Sequence, residues 1–273
     1  TLDSANWATI MINMMTQRQG ILLTSIIESF VKTADPISSK FLEKSGFFGL
    51  SSATIRAEMN DLEDEGYLMH IYTSSGRIPT DMAYRYYVDN VVNKEPSQWR
   101  GSPKEKYENT IRSAVNKAGD DPREINRVVA QTLSDLSDNL VITGTVEEDD
   151  FYKIGLSNLF ELPEFREFNR AFRLTSFFDE FENLFNHIEK EFFNMPTQIL
   201  EKERPREEIK IFIGRENPVK DIRDETVMFA QYNLPHDLTG SLTLVGPTRM
   251  DYAKNIGLIK YATNELNKIS KAT

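Results

Sequence analysis

Arg56 and Arg77 are the side chains whose neighbours most clearly point to a chemistry, and that chemistry is recognition of phosphates and base edges. Arg56 lies early in SSATIRAEMNDLEDEG, where apolar residues recur at helical spacing. A guanidinium on such a helix can hold guanine by two parallel hydrogen bonds. Ser52, Thr54, Arg56, Ala57 and Asn60 fall opposite Ile55, Met59 and Leu62, so the first set is predicted to face outward and the second inward. Ser51 or Ser52 can cap this helix, and the N-terminus they open suits a phosphate. Arg77 ends a second short set, in which Ser74, Ser75 and Gly76 offer small polar groups and a flexible backbone beside one cation.

Bond-making chemistry finds no comparable set. There is no cysteine, which excludes disulfides, thiolate metal sites and cysteine nucleophiles. His70, His187 and His236 are far apart, lack the spacing of metal ligands, and read as surface or hairpin residues. Acidic residues number 42, yet none forms a pair within a recognisable apolar pocket. The glycine motifs that cradle phosphates or present a nucleophile are missing, and the glycines of GRENP and VGPTR read as turns. The expectation is a protein that is not an enzyme and uses no metal or cofactor.

The elements that must hold the two arginines can be read from period and punctuation. From Met15 the pattern is helical, with Thr16 as N-cap and Ile21, Leu22, Ser25, Ile26, Ser29 and Phe30 on one stripe. Asp35-Pro36 closes that helix, because the residue before proline is pushed out of the α region. A short helix follows over about Ser38 to Lys44, then the helix that opens at Ser51-Ser52 and stops at Gly66. The period then shortens: Tyr67 to Ile71 and Arg77-Ile78 flank Thr73-Ser74-Ser75-Gly76, which predicts a β-hairpin. Thr80 caps a further helix rich in tyrosine. Three helices and then a hairpin is the order of a winged helix-turn-helix, whose third helix enters the major groove while the hairpin reaches nearby phosphates.

The polar stretch from Asn93 to Pro103, with two prolines and a glycine, marks a boundary. Helices are predicted over about Lys104 to Lys117 and Pro122 to Leu136, the second with Ile125, Val128, Val129, Thr132 and Leu136 on one face. Strands are predicted over Leu140 to Val146, Ile209 to Ile213, Val227 to Tyr232 and Gly240 to Val245. A last helix runs from Tyr252 to Ile269, with Thr248 and Asp251 as its capping box. The phenylalanines from Phe160 to Phe193 read mainly as core. The fold class is therefore α+β: a winged helix-turn-helix over 1–92, a linker with connecting helices over 93–139, and an α+β domain over 140–273.

A net charge of −10 sits badly with a polyanionic partner, but contacts are local. Asp61, Glu63, Asp64 and Glu65 crowd the C-terminal end of the Arg56 helix, away from its first turns. No apolar run approaches the roughly 18 to 20 residues that cross a bilayer, and the N-terminal residues lack the basic start of a signal peptide. A cytoplasmic protein is expected. On pattern alone, DNA binding and a protein-interaction role for the winged helix stand about level.

The run SSATIRAEMNDLEDEGYLMHIYTSSGRIPTDMAYRYYVD, from Ser51 to Asp89, closely resembles the N-terminal domain of the HrcA family of heat-inducible transcription repressors. It shares serines before ATIR, an acidic helix end, GYL, a Thr-Ser-x-Gly-Arg turn, IPT and YVD. GLSNLFELPEF from Gly155, IFIGRENP from Ile211 and GSLTLVGPTRMDYAKNIGLIKY from Gly240 are similar to the family's GAF-like C-terminal domain. The resemblance implies a homodimeric repressor at an inverted-repeat operator ahead of chaperone genes, with activity that depends on a GroEL-type chaperonin. Two departures bear on this. The family carries its first GAF strands and an inserted dimerisation domain where only about a dozen residues here separate Asn139–Thr143 from Gly155, so pairing is expected through residues after about Leu140. Ala57 stands where the family usually has Asn, removing a side chain able to pair with adenine. Rival readings are a small-molecule sensor using the GAF-like domain and an adaptor that no longer binds DNA.

Overall fold

The computed structural model describes residues 15–46, 49–72, 76–93, 104–147, 150–178 and 209–269. Its internal contacts divide the chain into two units, 1–95 and 96–273. The division falls within the polar stretch 93–103, of which 94–103 lie outside the described residues.

In the first unit α1 (Gln17–Thr33) starts at a capping box: the Thr16 hydroxyl accepts from the Gln19 N–H, and the Gln19 side chain accepts from the Thr16 N–H. It ends at Ala34, in the left-handed region just before Pro36. Its buried residues include Leu22, Leu23, Ile26 and Ile27, while Ile21, placed on the predicted stripe, is exposed. The pairs 22/26 and 23/27 together offer a broader apolar face than any stripe through Ile21, so the helix turns to bury both. Ser38 caps α2 (Ser39–Lys44), and Ser51 caps α3 (Ser52–Asp64) by accepting from the Thr54 N–H. Ile55, Met59 and Leu62 are fully buried, as their spacing predicts. Gly66, at φ +83°, lets the chain reverse so that the Tyr67 N–H reaches the Leu62 carbonyl. Strands β1 (Leu68–His70) and β2 (Arg77–Pro79) then pair antiparallel, with His70 opposite Arg77. Thr80 caps α4 (Asp81–Tyr87), which runs on into a π-helical turn over Val88–Val92.

The second unit is built on an antiparallel sheet in the order β4-β3-β7-β6-β5, with β3 Leu140–Thr145, β4 Asp150–Ile154, β5 Ile209–Ile213, β6 Glu225–Asn233 and β7 Thr239–Pro247. Both faces are covered, which is why every residue of β3 is buried. Leu140, Ile142, Val227, Phe229 and Val245 pack with Leu159 of α7 (Leu156–Glu161), Phe165 of a 3-10 turn, and Leu174 and Phe177 of α8 (168–178). The other face meets α6 (Pro122–Ser137): Thr143 donates to the Asn126 carbonyl, and the Asn126 side chain bonds Thr145 and Tyr232. Helix α5 (Lys104–Ala118) packs on α6, and α9 (Tyr252–Ile269) packs on β6, α5 and α6. Of the helices read from sequence as connectors, α6 covers the sheet and α5 packs on α6 and α9.

Three expectations change here. The buried face of α6 is Ile125, Asn126, Val129, Ala130, Leu133, Ser134 and Ser137, with Val128, Thr132 and Leu136 only half-buried at its border. Asp251 rather than Thr248 caps α9, accepting from the Lys254 N–H; the turn closed by Met250 N–H on Pro247 uses up Thr248. Phe168 and Phe172 are exposed and stack on each other with ring centres 6.1 Å apart, whereas Phe165, Phe177 and Phe178 join the core. His187, Phe181, Phe185, Phe192 and Phe193 lie outside the described residues.

Candidate nucleic-acid interface

The outward face of α3 carries the residues its period assigns there. Ser51, Thr54, Arg56, Ala57 and Asn60 are exposed and Ser52 is half-buried. Among the described residues Arg56 has no hydrogen-bond or ion-pair partner, so its guanidinium is available to a ligand.

The start of α3 is less open than the sequence suggested. The Glu43 carboxylate of α2 accepts from the Ser52 N–H at 2.9 Å, and the hydroxyls of Ser39 and Ser52 lie 2.9 Å apart. A carboxylate thus occupies a place proposed for a phosphate, and by the same attraction of an anion to a helix N-terminus. A phosphate at Ser52 has to displace it. Lys40 and Lys44, one turn apart and exposed on α2, are cations that reading passed over. Their spacing of four on a serine-capped helix was the available signal.

Arg77 is not the surface cation the sequence suggested. Its side chain is only 8% exposed: Nε donates to Glu63 Oε2 at 2.9 Å, and Nη2 donates to Asn60 Oδ1. Its backbone exchanges two hydrogen bonds with Ile37, each 2.9 Å, so the α1–α2 connection lies along β2. Gly76 serves the same junction, because a Cβ there would come within 2.6 Å of the Ile37 backbone and 2.7 Å of Pro36. Close approach, rather than flexibility, requires the glycine. A guanidinium this dry needs a carboxylate beside it, and the acidic end of α3 supplies one. Ser74 and Ser75 lie outside the described residues. On the hairpin's other arm Met69, Ile71 and Tyr72 are exposed.

Glu63 is the joint of this cluster. One oxygen meets His70 Nδ1 at 2.5 Å and the other meets Arg77, so a single carboxylate ties both strands to α3. Partial burial pushes its carboxyl up, but the hydrogen bonds with His70 and Arg77 outweigh that and hold it below the usual range. Asp61 and Asp64 remain exposed, while Glu58 is buried and pairs with Arg18 of α1. Among the described residues no group of three or more side chains is arranged to hold a metal, and no helix is long and apolar enough to cross a membrane.

Comparison with known proteins gives a consistent result. The family model described as the HrcA protein C terminal domain matches residues 52–256. A heat-inducible transcription repressor HrcA of Oceanobacillus iheyensis is 30% identical over 330 aligned positions, covering 93% of this chain and 96% of that protein. The one from Thermoanaerobacter sp. is 26% identical over 343, covering 92% and 96%. Both alignments are longer than the 273 residues of the chain, so these relatives carry residues with no counterpart in it. A crystal structure of a hypothetical protein shares the fold, with a TM-score of 0.75 at 16% identity over 94% of this chain and 99% of that one.

Proposed function

The chain belongs to the HrcA family of heat-inducible transcription repressors, and from that premise we propose that α3 and the β1–β2 hairpin form its DNA-binding surface. The observation that carries this reading is Arg56, exposed and unpartnered among the described residues, on the first turns of a helix whose other face is core. Arg56 reads guanine, Thr54 and Asn60 offer further polar contacts, and the Ala57 methyl suits thymine. Ser51, Ser52, Ser74 and Ser75 position the backbone of the duplex, and Lys40 and Lys44 supply charge for phosphates. Gly76 and Arg77 hold the wing against α3.

The target is an inverted-repeat operator ahead of chaperone genes, read by a homodimer whose symmetry matches it. Pairing runs through the second unit. A GroEL-type chaperonin governs activity, the chain catalyses no reaction, and it works in the cytoplasm. The test is fluorescence anisotropy with an inverted-repeat duplex from a chaperone promoter and a scrambled duplex, at several salt concentrations. Preference for the repeat, weakened in Arg56→Ala, is expected. Equal affinity for both duplexes, or none for either, leaves the adaptor reading in its place.

A further inference from the structure

We propose that Arg77 is a positioning residue for base reading: it sets the amide of Asn60 so that Nδ2 faces the groove, and it touches no phosphate itself. This rests on the DNA-binding reading above. Arg56 and Asn60 stand one turn apart on the outward face of α3, so whatever orients Asn60 acts on the second base-reading position of that face. An asparagine amide has an accepting end and a donating end, which exchange when the group rotates by half a turn. A guanidinium has five N–H donors and no acceptor. With Arg77 Nη2 directed at Asn60, only Oδ1 can face it, and Nδ2 must point away.

Arg77 is itself held at its side chain and at its backbone. Glu63 accepts from its Nε at 2.9 Å, Glu63 is in turn joined to His70 at 2.5 Å, and Ile37 bonds the Arg77 backbone twice. The amide is therefore set by a scaffold drawn from α3, both strands and the α1–α2 connection. Two consequences follow for recognition. Two-ended pairing with adenine uses both ends of an asparagine amide, and here the accepting end already serves a cation. The contact is therefore made by the donating end and favours guanine, with its O6 and N7, or thymine, with its O4, over cytosine. And because Glu63 neutralises a nearly buried Arg77, this arginine releases no counterion when DNA binds.

Wild type, Arg77→Met, Arg77→Lys, Asn60→Ala and the Arg77→Met/Asn60→Ala double variant are titrated with the operator and with duplexes carrying single base changes, at several salt concentrations, with thermal melts alongside. Arg77→Met is expected to lose about fivefold or more in discrimination at one base pair, the same one lost in Asn60→Ala. The double variant should be no worse than Asn60→Ala, and the salt slope should match wild type. Arg77→Lys retains a cation without the two-armed grip, and should lose the same discrimination even if Arg77→Met proves too unstable to measure. A salt slope reduced by about one in either Arg77 variant, or full discrimination in Arg77→Lys, overturns the inference while leaving DNA binding intact. A wild-type chain that fails to distinguish operator from scrambled duplex overturns both.

Discussion

Among the arginine–glutamate pairs of the described residues, one in each unit makes an instructive contrast, because the two bury opposite partners. In the first unit Glu63 is 28% exposed while Arg77 is nearly buried. In the second, Glu225 at the start of β6 is 2% exposed, and Arg170 of α8 closes over it. Arg170 gives Glu225 two hydrogen bonds, of 2.9 and 2.6 Å, and the Asp224 carbonyl one of 2.7 Å, with its guanidinium 4.9 Å from the Phe165 ring centre. Even so, burial pushes the Glu225 carboxyl up, whereas at Glu63 the hydrogen bonds and charges of His70 and Arg77 outweigh its slighter burial and hold it low. The same residue pair is thus a clamp with a partly exposed carboxylate in one place and a dry joint in the other. A dry joint contributes little over apolar packing while intact, and costs most when one partner is removed.

The widest gap between the two should appear in Arg170→Met, which leaves Glu225 buried without its cation. A loss of about 3 to 5 kcal/mol in urea unfolding is expected. A loss below about 1 kcal/mol would mean that Glu225 gains water or a proton at little cost, and the contrast between the pairs would collapse. In the first unit the apolar core rather than the clamp should dominate. Leu62→Ala is expected to cost about 2 to 5 kcal/mol there. If Glu63→Gln costs more than Leu62→Ala, that ranking is wrong.

Smaller effects sharpen the comparison. Arg56→Ala should weaken operator binding by about 1 to 3 kcal/mol while leaving the melting temperature in place, because Arg56 has no partner to lose among the described residues. A drop in melting temperature would make it structural, like Arg77. The smallest effect is in pH. Glu63 has its folded-state pKa lowered, so its contribution is complete above the unfolded value of about 4.3 and fades as pH falls through the folded one. The stability gap between wild type and Glu63→Gln should therefore close on acidification. Glu225, with its pKa raised, has the opposite sign: its contribution is present at low pH and declines as pH rises through the folded value. Parallel pH profiles for Glu63→Gln and Glu225→Gln would show that the two carboxylates share one environment after all.

What the sequence determined by itself was local. Thr16, Ser51 and Thr80 are caps that act within three residues of themselves, and all three open the helices expected of them. Ile55, Met59 and Leu62 declare the buried face of α3 because a period of 3.6 needs no distant partner to be read. The hairpin, β3, β5, β6, β7 and α9 follow from the same short-range signals, whereas β4 was not read from them and is placed only by its pairing with β3. Tertiary structure decided wherever a side chain had two acceptable surroundings. Arg77 suits a phosphate as well as it suits a carboxylate, and only the docking of β2 against the end of α3 put Glu63 within 2.9 Å. Gly76 reads as a flexible turn until Pro36 and Ile37 arrive beside it, and the helix start at Ser52 reads as open to a phosphate until α2 delivers Glu43 to its N–H. Phe168 and Phe172 look like core until α8 turns their stacked pair outward. In each case the deciding partner belongs to another element or is set by how that element packs. Its position is fixed by the burial of apolar faces and not by the polar residue itself.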